Sequence, residues 1–254
     1  MQKLQAFKFE LMPTAEQELN MLKFAGSCRF VFNKALAWQI EAYAKDKSTP
    51  MSYTEWANML PKWKRDVQQA LKDLEKSYKN FFNKTADFPK FKNKGSKASF
   101  RYPQGFKLDE GNARIFMPKL GFVRYRKSRK IEGEIKNVTV SKKNDKWFVS
   151  IQTEKTVDEP VHPSKSSIGI DLGCVRFATL SDGNYIKPCD FKRHETRLKK
   201  YQRRMSRKVK FSKNWQKEKC KVQKASAKVA QVRNDCLNKI TTQIAKQHSL
   251  VIIE

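Results

Sequence analysis

The chain has 254 residues, 39% of them hydrophobic, with 17 Phe and 5 Trp, enough apolar side chain for one large folded domain or two small ones. Against 25 acidic residues stand 54 Lys and Arg, a formal net charge of +29, and such a field draws polyanions, nucleic acid first among them. No apolar run approaches the ~18 residues of a membrane-spanning helix, and the opening MQKLQAFKFEL lacks a signal-peptide core, so a cytoplasmic protein with no membrane partner is expected.

From the start of the chain, LQAFKFEL alternates as a strand. MPTAEQ then offers a helix start: Pro13, Thr14 as N-cap, and Glu16 and Glu18 where the helix dipole favours anions. Leu22, Ala25, Cys28, Phe32, Ala35 and Ile40 follow at helical spacing, predicting a helix of about 30 residues. A second helix is predicted after Pro61 from Trp63, Val67, Leu71, Leu74 and Tyr78. In TADFPKFKNKGSKASFRYP, Pro89, Gly95, Ser96 and Ser99 break the period while Lys and Arg alternate with Phe and Tyr. Lys90, Lys92 and Arg101 there could meet phosphates beside aromatics that stack on bases; a solvated loop with its Phe residues anchored in a core reads equally well.

Residues 112–154 have β character. VTVSKKNDKWFVSIQTE alternates on both sides of a Lys-Asn-Asp-Lys turn and predicts a hairpin. With strands near residues 4, 116 and 124, this is enough for a small barrel interrupted by the helical pair. TVDEPVHPSKS, residues 156–166, is the best domain boundary in the chain.

Beyond it, Ser167 to Leu172 and Phe177 to Ser181 read as strands joined to a Ser181-Asp182-Gly183 turn. Alternation puts Ile168, Ile170 and Leu172 on a core face and Gly169 with Asp171 on the other, where Gly169 and Gly173 leave space for a ligand. A carboxylate in such a strand invites a cation. From Lys192 to about His248 the pattern is helical, with Val222, Ala225, Val229, Val232, Cys236, Ile240 and Ile244 as a core-facing stripe. The earlier part of this run, with Leu198, Tyr201 and Met205 as a thin apolar seam, is strongly basic: residues 192–228 carry 16 Lys and Arg and only Glu195 and Glu218 as acids. The chain closes with SLVIIE, so Glu254 repeats the pattern of Asp171 at the exit of an apolar strand. Two such acids can share divalent metal, and Mg2+ is the usual ion for phosphodiester cleavage.

Cys28, Cys174, Cys189, Cys220 and Cys236 are odd in number, widely spaced and without a CxxC pair. Neither a disulfide framework nor a zinc site is expected, only small buried or half-buried thiols.

The linked set GSCRFVFNKAL (26–36), FPKFKNK to SFRYP (88–103), GIDLG to ATLSDG (169–183), QRRMSRK to NW (202–215), VRNDCLNKI (232–240) and VIIE (251–254) resembles the TnpB (OrfB) proteins of insertion sequences, over essentially the whole chain. The resemblance implies an RNA-guided DNA endonuclease, related to type V CRISPR effectors and long described as a transposase, with guide RNA and target DNA as partners. It implies a mixed α+β and α/β chain: a wedge-like β-barrel from residues 1–12 and 95–155, a helical recognition insert at 13–94, a linker at 156–166, and an incomplete RuvC-like, RNase H-like domain at 167–254. Asp171 and Glu254 match the family's first two catalytic carboxylates and would coordinate Mg2+, while Lys199, Lys200, Arg203, Arg204, Arg207, Lys208 and Lys213 would face nucleic acid. Family members normally continue into a zinc ribbon with paired CxxC motifs and a third catalytic Asp, which these 254 residues do not contain. A truncated chain that binds RNA or DNA but cuts poorly is therefore expected, with one sheet edge uncovered at its last strand.

Two rival readings stand beside this one. IGIDLG also resembles the first strand of the actin, sugar-kinase and heat-shock ATPases, although Cys174, Val175 and Arg176 follow here in place of Thr, Ser and Gly. A nuclease-dead, RNA-guided DNA binder acting as a repressor would keep the same scaffold without cutting.

Overall fold

The first alternating run forms β1 (Gln2–Met12), with Phe7, Phe9 and Leu11 buried on one face. In the computed structural model, which describes residues 1–47, 53–58, 67–94, 98–159 and 161–254, β1 belongs to the first of two units, Met1–Val157 and Asp158–Glu254. It pairs antiparallel with β7 (Lys146–Thr156), in a register that sets Phe7 against Ile151, Phe9 against Val149 and Leu11 against Trp147. These cross-strand pairs make one apolar layer. The predicted hairpin is β6 (Glu134–Lys143) and β7, turning at Asn144 with a φ of 55°. With β2 (Ser99–Tyr102), β3 (Lys107–Asp109), β4 (Arg114–Met117) and β5 (Gly121–Tyr125), the sheet runs β2-β6-β7-β1-β5-β4-β3 with every pairing antiparallel. No ladder joins β2 to β3 among the described residues. The barrel expected from the sequence is therefore an open sheet here, since its terminal strands, of four and three residues, are too short for the staggered ladder that closure requires.

Thr14 caps α1 (Ala15–Lys45) as expected, and Gln17 completes a capping box: Gln17 N–H donates to Thr14 Oγ1 at 3.3 Å and Thr14 N–H to Gln17 Oε1 at 3.1 Å. Such a cap contributes about 1 kcal/mol. The buried stripe is Met21, Ala25, Val31, Phe32, Ala35, Leu36 and Gln39. Leu22 and Ile40, assigned to it from spacing, are 41% and 40% exposed, because each sits one residue, about 100°, round the helix from Met21 and Gln39. The first half of α1 joins the core of the sheet through Met21 and Ala25, and the second half packs with α2 (Tyr53–Asn58) and α3 (Gln69–Phe82) around Trp56, Leu71, Leu74 and Tyr78. Val67 is buried there as predicted; Pro61, Trp63, Gly95 and Ser96 lie outside the described residues.

In the second unit β8 (Ser167–Leu172), β9 (Ala178–Leu180) and β10 (Tyr185–Ile186) form an antiparallel meander, and β11 (Leu250–Ile253) adds to β8 in parallel, giving the order β10-β9-β8-β11. The long helical run between them is two helices, α4 (Lys192–Ser206) and α5 (Lys213–Gln247). Phe211, at a φ of 69°, interrupts it, and Ser212 restarts it by accepting from Trp215 N–H at 3.1 Å. Ile168, Ile170 and Ala178 form the buried core, with Ile244 of α5 against them. The α5 stripe does face inward, but only Val229 is fully buried. Leu172, expected in the core, is 56% exposed, and all four residues of β11 are exposed. The expected linker is partly structure: His162 Nε2 donates to Ala245 O at 2.9 Å, Ser249 N–H donates to Ser166 O at 2.9 Å, and Ser166 Oγ bonds His248 Nδ1 at 2.9 Å.

The cysteine expectation is corrected. Cys189 and Cys236 form a disulfide, because the segment before α4 folds back along the middle of α5, a proximity their spacing does not reveal. Cys28 is half-buried, whereas Cys174 and Cys220 are exposed rather than packed thiols.

Candidate functional site

The sheet of the second unit brings its two strand-exit acids together. In the parallel ladder Val251 pairs with Ile168 and Ile253 with Ile170, and Glu254 N–H donates to Ile170 O at 3.1 Å. The next positions, Asp171 and Glu254, are therefore side by side on strands about 4.8 Å apart and share the face opposite the Ile168 and Ile170 core. Thr179 faces Asp171 from the other side, on β9. Both carboxylates are exposed, and neither has a hydrogen-bond or ion-pair partner among the described residues. Two unpaired oxygen donors on an open face suit a hard cation such as Mg2+, which is commonly held by one or two carboxylates. Among the described residues no group of three or more His, Cys, Asp or Glu gathers elsewhere, nor does a third such side chain join this pair.

The glycines beside the pair act differently from the sequence expectation. Gly173 is required by its own turn, since a Cβ there would stand 2.9 Å from Arg176 O. Gly169 donates its N–H to Ser181 Oγ at 3.0 Å, and a Cβ would touch Ser181 Cβ at 3.4 Å. Its space is partly filled by that serine.

Lys199, Lys200, Arg203 and Arg204 are exposed on α4, with Arg207 at its C-cap, Lys208 in the turn and Lys213 opening α5. Helical spacing puts Lys192, Lys199, Lys200, Arg203, Arg204 and Arg207 on one side, opposite the half-buried Leu198, Tyr201 and Met205. No ion pair among the described residues neutralises the seven basic side chains expected to face nucleic acid. Sequence reasoning missed a second basic surface, a groove of about 420 Å³ between α4 and α5 lined by His194, Arg197, Tyr201, Lys221, Lys224 and Lys228. There Arg197 Nε donates to Tyr201 Oη at 3.2 Å and holds the phenol pKa below its ordinary value. The signal was present as Lys at 221, 224 and 228, three and four apart on the face that meets α4.

In the first unit the three residues expected to meet phosphates divide. Lys90 is exposed, 3.5 Å from Asp87. Lys92 is docked on α1: its amine lies 3.7 Å from the centre of the Phe32 ring, and its backbone exchanges two 2.8 Å bonds with the Asn33 side chain. Burial pushes its pKa down, against the opposing pull of Asp73. Arg101, half-exposed, lies 3.9 Å from Asp73.

Residues 150–254 match the IS605-type OrfB family, described as "Probable transposase", and residues 1–48 match its "Helix-turn-helix domain". Across 100% of the chain it is 50% identical to "Putative RNA-guided DNA endonuclease InsQ" of Escherichia coli K12.

The chain belongs to the TnpB/OrfB family.

A second family member, a "Putative RNA-guided DNA endonuclease" of Streptomyces pristinaespiralis, is 32% identical over 98% of the chain. The chain spans 66% of the length of each of these relatives. The fold is similar to that of a chain in the cryo-EM structure of the Cas12f1-sgRNA-target DNA complex, with a TM-score of 0.55 at 10% identity, covering 100% of this chain and 81% of that one. In this TnpB/OrfB chain residues 1–47 of the stretch described as helix-turn-helix hold one strand and one unbroken 31-residue helix.

Proposed function

We propose that this chain is part of an RNA-guided, metal-dependent DNA endonuclease of a transposable element, with Asp171 and Glu254 as its metal-bearing pair. The observation that carries this is the β8–β11 register, which makes neighbours of two acids distant in sequence. In this reading residues 167–254 form a RuvC-like domain of RNase H type, the open sheet is a wedge-like body, and the helices within 13–94 are a recognition insert. Guide RNA pairs with the target strand, while the protein reads a short flanking DNA motif. The names of the relatives and of the Cas12f1 complex point the same way.

Bound Mg2+ would polarise a phosphate oxygen and activate an attacking water. The chain's own groups prepare for this. The backbones of Asp171 and Glu254 are set side by side by the hydrogen bonds of adjacent strands, so their carboxylates start from neighbouring positions, and a bound ion would order the two exposed side chains. Small Gly169 and Ser181 keep the surface beside them low enough for a sugar-phosphate chain. Lys199, Lys200, Arg203, Arg204, Arg207, Lys208 and Lys213 neutralise phosphates along α4 and the turn after it. With two carboxylates and no third joining them among the described residues, the 254-residue chain binds nucleic acid and cuts weakly.

Incubating the purified chain, with and without its co-purified RNA, with Mg2+ and end-labelled DNA tests this. Slow cleavage that Asp171→Ala abolishes is the expected result. Salt-dependent binding without cleavage, unchanged by Asp171→Ala, would instead assign a nuclease-dead binder.

A further inference from the structure

The helical part of the first unit carries a cavity that no residue of the site above touches. Gln39 and Tyr43 of α1, Tyr78, Phe81 and Phe82 of α3, and Phe88 beyond it line a space of about 300 Å³. Its walls are aromatic: Phe81 meets Phe88 edge-on at 5.4 Å, Tyr78 meets Phe88 at 5.7 Å, and Tyr78 stacks with Phe82 at 6.5 Å. Its rim is open, with Phe82 60%, Tyr43 45% and Phe88 42% exposed. A cluster of large aromatics held half in water marks a surface that takes a partner.

Behind the cavity wall lie two polar atoms without partners among the described residues. Trp56 Nε1 donates to Gln39 Oε1 at 2.9 Å. An indole can only donate, so this bond fixes the amide with its oxygen towards Trp56 and its NH2 on the other side. Gln39 Nε2 and Tyr78 Oη then have no hydrogen-bond partner among the described residues, although both side chains are more than nine-tenths buried. Burial pushes the Tyr78 phenol up to about 12, so at neutral pH it keeps its proton and remains a donor. Both donors lie behind the aromatic walls, closed off from the cavity surface, and are costly there unless something accepts from them.

We propose that this cavity receives a single unstacked nucleobase, an inference that rests on the nucleic-acid reading above. A base offers a flat π face to Phe82 and Phe88 and, once those exposed rim side chains swing apart to admit it, edge acceptors to Gln39 Nε2 and Tyr78 Oη. An aliphatic side chain would fill the space and leave both donors orphaned. A carboxylate or phosphate would be desolvated against the rings. Exposed Lys84 and Lys90 follow Phe82 and Phe88 by two residues each, giving cations for the phosphates that flank the base.

The test uses the full chain and labelled hairpins of RNA and of DNA, each with a one-nucleotide bulge carrying either a base or an abasic site, titrated at one salt concentration. The wild type is expected to bind the base-bearing bulge about tenfold more tightly, the worth of one stacked base, and the nucleic acid that shows the preference identifies the source. Phe88→Ala and Tyr78→Phe should both reduce the preference to less than about threefold without changing the salt dependence. Tyr78→Phe should do so with no loss of thermal stability, because its hydroxyl has no partner to lose. Equal affinity for base and abasic bulges in both RNA and DNA overturns the base pocket and leaves the nucleic-acid reading intact. Absence of binding to every hairpin overturns both. Self-association that Phe82→Glu abolishes would assign the aromatic rim to contact between copies of the chain, which also overturns the proposal.

Discussion

Lys92 and Cys28 show how burial changes what a residue type can do. Both sit where α1 meets the segment after α3, and both are perturbed first by desolvation, in opposite senses. Composition marks Lys92 as a phosphate ligand, but its amine lies over Phe32, where the (CH2)4 stem and ring outweigh the charge. Burial pushes the Cys28 thiol from its ordinary 9.0 up to about 12. A raised thiol pKa means that the unfolded chain ionises first, so the stability this group contributes is complete below pH 9.0 and is lost as pH rises towards about 12. Cys28→Ala should flatten the decline in unfolding free energy across that window, measured by urea titration at several alkaline pH values. An unchanged decline would mean that Cys28 is not desolvated. The Tyr78 phenol, also raised to about 12, contributes a decline of the same sign from pH 10, so the variant should lessen the slope rather than remove it.

At the level of elements, strands and caps were the most legible part of the sequence. Alternation in LQAFKFEL and across the Lys-Asn-Asp-Lys turn sufficed because a period of two leaves only one face to bury. Helices were legible in position and less so in extent. The run from Lys192 gave no sign of the break at Phe211, since a left-handed residue followed by a Ser cap is a local backbone event inside an otherwise helical composition. The Cys189–Cys236 bridge was illegible for a different reason, as it depends on how a segment folds back along α5. Reducing it should destabilise the second unit by about 2–4 kcal/mol, the usual worth of a disulfide. A melting temperature that falls with dithiothreitol in the wild type and not in Cys236→Ser would establish this; equal melting of both in oxidising and reducing buffer would refute it. On α4 the density of basic residues was legible in the sequence and the structure leaves them exposed, whereas the groove against α5 needed the helix pair to exist first. Replacing Arg203 or Lys200 with Ala should lower the slope of log affinity against log salt by about 0.7–0.9 for each phosphate left without its cation, whereas Lys92→Met should leave the slope unchanged. Equal effects from all three would mean that the charge acts only as a diffuse field.

For the whole molecule, the two units differ in how much core they carry. The first unit buries two apolar clusters joined by α1. The second rests on Ile168, Ile170 and Ala178, with β11 exposed along its length. Its candidate site is built by pairing distant strands, so the sequence showed both acids and the possibility that they share a metal, while the register that makes them neighbours came only with the structure. That adjacency is the central claim. Titration of the intact chain with Mn2+, followed by electron paramagnetic resonance of the free ion, tests it directly when wild type is compared with Asp171→Asn and Glu254→Gln. Each substitution is expected to weaken the tightest site at least about tenfold, a loss typical even of a ligand's hydrogen-bonding neighbour. Identical Mn2+ binding by all three proteins would contradict the account, because the paired carboxylates would then hold no metal.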